Sequence, residues 1–285
     1  MSDDGSAGMT QFDVEAECPA CGAACSDSYI VCTQDDERFD FTEVGSAVGE
    51  LTGQPLRKVR ERVTRFHGVL AEALPPNQAS SLVERLGSIG VPAFAVAEDE
   101  VPVVGQGLGP ARIHGAWEDT LQVQVGAEVT PRPIPWAALH AGFCTRENTV
   151  EQTTFEIVHE FLPGKIYYPT VRKGIKPVPR PQHAPVECTL LTLDAAGEIC
   201  RLRFAEADVR YSYLGSRAQS TRARNFAAFL TDVIHRRPDA FFPASTRAVA
   251  AGQPFKVAKV REEGDYGRHF RWVLCCIGAQ SAERQ

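Results

Sequence analysis

Four cysteines fall within a span of fifteen residues: Cys18, Cys21, Cys25 and Cys32. In Cys18-Pro19-Ala20-Cys21 two thiolates separated by two residues can grip one ion, and Gly22 lets the chain turn so that backbone amides face the sulfurs. Cys25 and Cys32 would complete a tetrahedral set of four thiolates. That predicts one structural zinc, with no open position for substrate. The other five cysteines, Cys144, Cys188, Cys200, Cys275 and Cys276, sit in apolar contexts and read as small buried core residues. Nine cysteines is an odd number, and the acidic N-terminus (Asp3, Asp4) lacks a basic, apolar leader. Both points argue against a disulfide framework and for a reducing cytoplasm.

The opening Cys18-Pro19-Ala20-Cys21-Gly22 is similar to a zinc-ribbon knuckle. A ribbon pairs two such knuckles across a longer gap, and Cys25-x6-Cys32 is not a second knuckle. A compact site, a site borrowing a ligand from elsewhere and a decayed ribbon all stay open. A redox role for Cys18 and Cys21 fits less well. A thioredoxin-type pair caps a helix in an α/β core, whereas this pair sits in a polar stretch rich in Gly and Ala.

A second chemically suggestive segment is 161–186. It has no acidic residue, six prolines, Tyr167-Tyr168, and the cations Lys165, Arg172, Lys173, Lys176 and Arg180. Basic charge interleaved with aromatics attracts phosphates and stacks bases, which makes nucleic acid or another polyanion a candidate partner. Proline-rich extended chain also serves as a docking ligand, and a solvated surface loop is the plain alternative. The histidines offer less. His159-Glu160 opens like a metalloprotease motif, but Pro163 stands where the second histidine belongs. Neither a Gly-x-Ser-x-Gly elbow nor a phosphate-cradling Gly-Lys-Ser/Thr loop is present. The run Gly105-x-Gly107-x-Gly109 is followed by Pro110 and reads as a hinge.

These residues are carried by 285 residues with 44% hydrophobic and 23% charged side chains, values of a globular chain with about two domains. No apolar run approaches the ~18 residues of a membrane span, so no membrane partner is expected. The net charge of −6 is uneven: residues 1–100 hold 18 acids and 7 bases, and 101–285 hold 18 acids and 23 bases. The expected class is α+β. Residues 1–16 read as a tail, 17–38 as a cysteine-rich zinc module, 39–98 as a small α/β unit with the order ααβαβ, 99–111 as a Gly/Pro linker, and 112–285 as a mostly antiparallel β domain with late covering helices.

Within 39–98, Val44, Val48 and Leu51 recur at helical spacing and Gly53 ends that helix. A second helix from Pro55 would bury Leu56, Val59, Val63 and Phe66 and expose a basic face. Val69 to Leu74 and Val91 to Ala97 read as strands around a helix that buries Ala79, Leu82, Val83 and Leu86, with Asn77 as its N-cap. In the larger unit, 187–204 reads as a hairpin and Arg210 to Leu214 as a further strand. Phe226, Phe229, Leu230, Val233 and Ile234 mark a helix capped by Ser220 and ended by Pro238. A last helix from Asp265 would use Tyr266, Phe270, Val273, Leu274 and Ile277.

The segments Gly68-Val69-Leu70-Ala71-Glu72-Ala73-Leu74, Gln78-Ala79 and Gly90-Val91-Pro92 resemble the small α/β domain of the ribosomal stalk protein and of the Clp protease adaptor. That resemblance implies a protein-interaction module without catalysis. The element order of 112–285 loosely resembles a pleckstrin-homology-like barrel. Three functions are weighed in this order: a non-enzymatic zinc-binding adaptor with a protein partner, a nucleic-acid or polyanion binder, and an enzyme whose inter-domain cleft pairs His114, His140 or His159 with an acid.

Overall fold

The computed structural model describes residues 28–36, 39–64, 68–105, 110–147, 156–158, 170–172, 185–194, 198–253, 258–260 and 263–282. Its class is α+β. The first sheet is built from β1 (Tyr29–Thr33), β2 (Val69–Leu74) and β3 (Ala93–Ala97), in the order β2-β1-β3 with β1 antiparallel to both neighbours. The crossover expected between the two outer strands is there, but it straddles β1. The sheet therefore takes its central strand from the segment that sequence reasoning assigned to the cysteine-rich module.

One face of this sheet is covered by α1 (Phe41–Thr52), α2 (Leu56–Thr64) and α3 (Pro76–Ser88). Val31, Val44, Val48, Val59, Leu70, Leu82 and Leu86 form the core between them. α1 begins where the Asp40 side chain accepts from the Thr42 amide, and it ends at Gly53, left-handed with φ 64°. α3 corrects one expectation. Its N-cap is Pro75, with Pro76 in the first turn, so Asn77 is already helical. α2 corrects another: Val59 is buried, whereas Leu56 is 42% exposed. Leu56 leans on Gly49 of α1, which has no side chain to cover it.

The larger unit opens with the hairpin β4 (Ala111–Ala116) and β5 (Thr120–Val125), to which β6 (Arg132–Pro135) adds. β7 (Leu139–Glu147) follows, then a two-stranded ribbon of β8 (Glu156–Val158) and β9 (Thr170–Arg172). The hairpin β10 (Val186–Leu193) and β11 (Ile199–Ala205) joins β7 and the later β12 (Ala258–Val260) in a sheet ordered β11-β10-β7-β12. Its pairs are antiparallel except β12 with β7. Isolated bridges from Pro110 to Arg203 and from Ile113 to Val209 set β4 beside β11, so the two sheets enclose one core. That core is closed by α4 (Arg222–Arg236) through Phe226, Phe229, Leu230 and Val233, and by α5 (Ala244–Ala250) through Val249. The α4 cap is Thr221, one residue beyond the expected Ser220. Residues 211–217 are 3-10 turns and not the expected strand. Tyr211 bonds back to the Glu206 carbonyl (2.6 Å), Tyr213 donates to Asp232 (3.2 Å), and Gly215 kinks the chain at φ 54°.

The last helix, α6 (Glu263–Ala282), lies between the two units. On one side it meets Ile30, Cys32 and Val96, and on the other Ala141, Phe143, Leu191 and Ile199. Trp272 through Ile277 are six consecutive buried residues. A helix apolar on all sides is a core element and not a surface one. Two carboxylates strengthen the junction: Ala244 N–H donates to Asp35 (2.6 Å) and Ser245 N–H to Asp36 (2.9 Å), so the loop after β1 caps α5. No helix among the described residues is long and apolar enough to cross a membrane.

Candidate functional site

A cavity of about 400 Å³ opens where the chain leaving β3, the turn between β10 and β11, the start of β7 and the last turns of α6 converge. Its walls are apolar: Pro102, Val103, Leu193, Ile199 and Ile277. Its polar groups are His140, Glu198 and Ser281. The local sequence explains the assembly. Asp194 holds the turn, its side chain accepting from the Glu198 amide (2.9 Å) and its amide donating to the Glu198 carbonyl (3.0 Å). Gly105 N–H bonds Ile199 O (3.0 Å), which fastens the departing chain to β11. A Cβ on Gly105 would come within 2.6 Å of the Glu198 carboxylate, so glycine is what makes room for that group. Gly278 serves α6 in the same way, letting it approach the Glu100 carbonyl closely.

Of the three histidines expected to mark a cleft, the structure brings one to a cavity beside an acid. His140 is half-buried, and its carbonyl accepts from Phe241 N–H (3.0 Å). His114 sits on β4 with its ring bonded to Gln124 (2.8 Å), and His159 lies outside the described residues. Ser281 is not poised as a nucleophile, because its hydroxyl donates to Ile277 O (2.9 Å) along the helix.

Cys18, Cys21 and Cys25 lie outside the described residues. Cys32 is within them. It is fully buried in the middle of β1, opposite Val69 and Phe94, with its thiol against Cys275 and Cys276 of α6. Burial, more than its thiol neighbours, pushes the Cys32 thiol well above the usual range. Cys188 is raised by the same cause, and Cys144 stands directly opposite it across the β7–β10 ladder. Thiols of this kind stay protonated and inert. All five scattered cysteines are buried, as expected. Among the described residues, no group of three or more His, Cys, Asp or Glu is arranged to hold a metal ion.

Of the basic loop, Arg172 is described, in β9 opposite Glu156; Lys165, Lys173, Lys176 and Arg180 are not. The arginines of 201–224 are partly engaged. Arg203 makes two bonds to Glu187 (2.8 and 2.6 Å) and lies 4.9 Å from the Tyr266 ring centre, and Arg201 lies over Phe270 (5.5 Å). Arg217 is bidentate with Asp232 (2.8 and 2.9 Å), while Arg210, Arg222 and Arg224 are exposed. Beneath the first pair, Thr189 and Tyr266 share a hydrogen bond (3.0 Å), and Asp265 and His269 are buried one turn apart on α6. This polar layer seats α6 on β10. Compared with known protein families, curated proteins and solved structures, the chain matches none.

Proposed function

We propose that the protein is a non-enzymatic adaptor that holds one structural zinc and docks a protein partner through α2. The observation that carries the docking half is α2 itself. Val59 anchors it, and Leu56, Arg57, Lys58 and Arg60 are exposed. Arg60 stands one turn from the exposed Leu56, and Arg57 and Lys58 add positive charge to the helix, which suits an acidic segment with an apolar anchor, because charge steers the encounter while apolar burial supplies most of the affinity. The double variant Arg57→Glu/Lys58→Glu changes two exposed side chains and leaves the core alone. It is expected to abolish partner capture in affinity purification while leaving the thermal transition within about 1 °C. Capture unchanged by that variant removes α2 from the interface. If the wild type instead retains single-stranded RNA or DNA, with an affinity that falls steeply with salt, the protein is a polyanion binder using Arg172 and its basic neighbours.

The zinc half rests on thiolate chemistry. With Cys32 committed to the core, the metal falls to Cys18, Cys21 and Cys25, with a fourth ligand outside this set. Purified protein is expected to carry about one zinc per chain by elemental analysis. Cys18→Ser or Cys21→Ser should empty it, and Cys32→Ser should keep the metal while lowering stability, since it places an unsatisfied hydroxyl in an apolar core. Protein prepared without chelators and found free of zinc overturns this part, and loss of zinc in Cys32→Ser restores the four-thiolate set.

A further inference from the structure

We propose that the cavity bounded by His140, Glu198 and Ser281 is a binding site for a small organic cation, an amine that carries an apolar chain or ring. Its volume of about 400 Å³ lies in the range of small-molecule sites, and its walls are mainly the side chains of Pro102, Val103, Leu193, Ile199 and Ile277. Apolar walls of this kind take up hydrocarbon.

The sign of the ligand's charge follows from what surrounds the opening. Glu198 lines the cavity and makes no ion pair or side-chain hydrogen bond among the described residues, so it brings a carboxylate to the site without a cation beside it there. Among the described residues no lysine or arginine lines the cavity. α6 ends here, and its last turn carries no basic residue. The C-terminal turn of a helix carries the negative pole of its dipole, which adds to the field of the Glu198 carboxylate. Asp99 and Glu100 belong to the turn from which the wall residues Pro102 and Val103 continue, while Glu98 of that turn is paired with Arg271 (3.7 Å), and the Glu100 carbonyl lies close to Gly278 of α6. The Glu198 carboxylate sets the sign, and Asp99 and Glu100 add negative charge nearby. An ammonium group is held by Glu198 and the end of α6 while its apolar part fills the space against Ile199 and Ile277. A carboxylate of the same shape is repelled. His140 provides a polar contact on the opposite wall.

Val103 is 86% exposed, so changes at its position and at the exposed Glu198 leave the fold intact. The test is an NMR titration of the full-length protein at pH 7.5 with 2-phenylethylamine and, separately, with 3-phenylpropionate. The amine is expected to shift the amides of Val103, Ile199 and Ile277 saturably, with a Kd below about 1 mM, a value small ligands of this size reach. Glu198→Gln is expected to weaken binding at least fivefold. Val103→Lys, which brings its own ammonium to the site, is expected to abolish it. The carboxylate should produce no saturable shift. The proposal is overturned by equal binding of the carboxylate, by an unchanged Kd in Glu198→Gln, by amine shifts that map elsewhere, or by no saturable shift with the amine.

Discussion

Trp272→Ala is expected to lower the unfolding free energy by about 4 kcal/mol, the usual cost of deleting a large aromatic from a packed core. The indole is fully buried on α6, its Nε1–H donates to Thr33 O at the end of β1 (2.8 Å), and it meets Phe241 edge-on at 5.5 Å. It also lies flat against Gly68, just before β2. A Cβ there would sit 2.0 Å from the indole Cγ, at a backbone φ of +90° that L side chains rarely adopt. Gly68→Ala is therefore expected to cost about 3 kcal/mol, part backbone strain and part overpacking. The two costs share one contact and will not add. With Trp272 removed the methyl has room, so Gly68→Ala in the Trp272→Ala background should cost at least 1 kcal/mol less than alone. Urea denaturation of the four proteins checks this, and strict additivity would mean that the indole does not rest on the glycine. Because α6 supplies core to both units, hydrogen exchange in Trp272→Ala should rise at Leu70 of β2 and at Leu190 of β10 together. Exchange that rises in one unit only would show that α6 does not couple them.

The sequence carried the helices whose apolar residues line one face. The spacing of Phe226, Phe229, Leu230 and Val233 places α4 to within a residue at its start, and Gly53 stops α1 where a left-handed residue is required. α6 was legible as a helix but not as a central one. Reading one face from Tyr266, Phe270, Val273, Leu274 and Ile277 leaves out Trp272, Cys275 and Cys276, whose burial comes from a second sheet supplied by residues 240 positions earlier in the chain. The burial of Cys32 was not legible for the same reason. Its neighbours in sequence are cysteines that suit a metal, while its neighbours in space are Cys275 and Cys276. The alternating Tyr211 and Tyr213 imitate a strand because hydroxyl bonds to Glu206 and Asp232, invisible in a periodicity, fix them in tight turns. His140 and Glu198 are 58 positions apart and meet only through the β7–β10–β11 ladder, so no local motif announces the cavity.

Asp36→Asn is expected to stabilise the protein at neutral pH by up to about 3 kcal/mol, the equivalent of the shift in its titration. Asp36 is held mostly out of water against the start of α5. Burial raises its pKa from the usual 3.8 to about 6, and the neighbouring Asp35 adds to the rise, while bonds from Ser245 offset only part of it. Among the described residues one carboxylate oxygen, Oδ2, is buried without a hydrogen-bond partner, whereas Oδ1 accepts from Ser245 N–H. The folded state thus binds this proton more tightly than the unfolded chain does. The stability that Asp36 contributes is fully present below about pH 4, falls as pH rises through 6, and is flat above. Asp232, lowered by its bonds to Arg217 and Tyr213 against the opposing effect of burial, works in the opposite sense but only in more acidic solution, so it does not mask the window from 4 to 6. Asparagine keeps the acceptor for Ser245 and removes the charge. The difference in unfolding free energy between Asp36→Asn and wild type, followed by urea denaturation from pH 4 to pH 7.5, should open progressively across this interval. A constant difference, or one that closes with rising pH, would mean that the carboxylate is solvated and that the cap on α5 is not built as described.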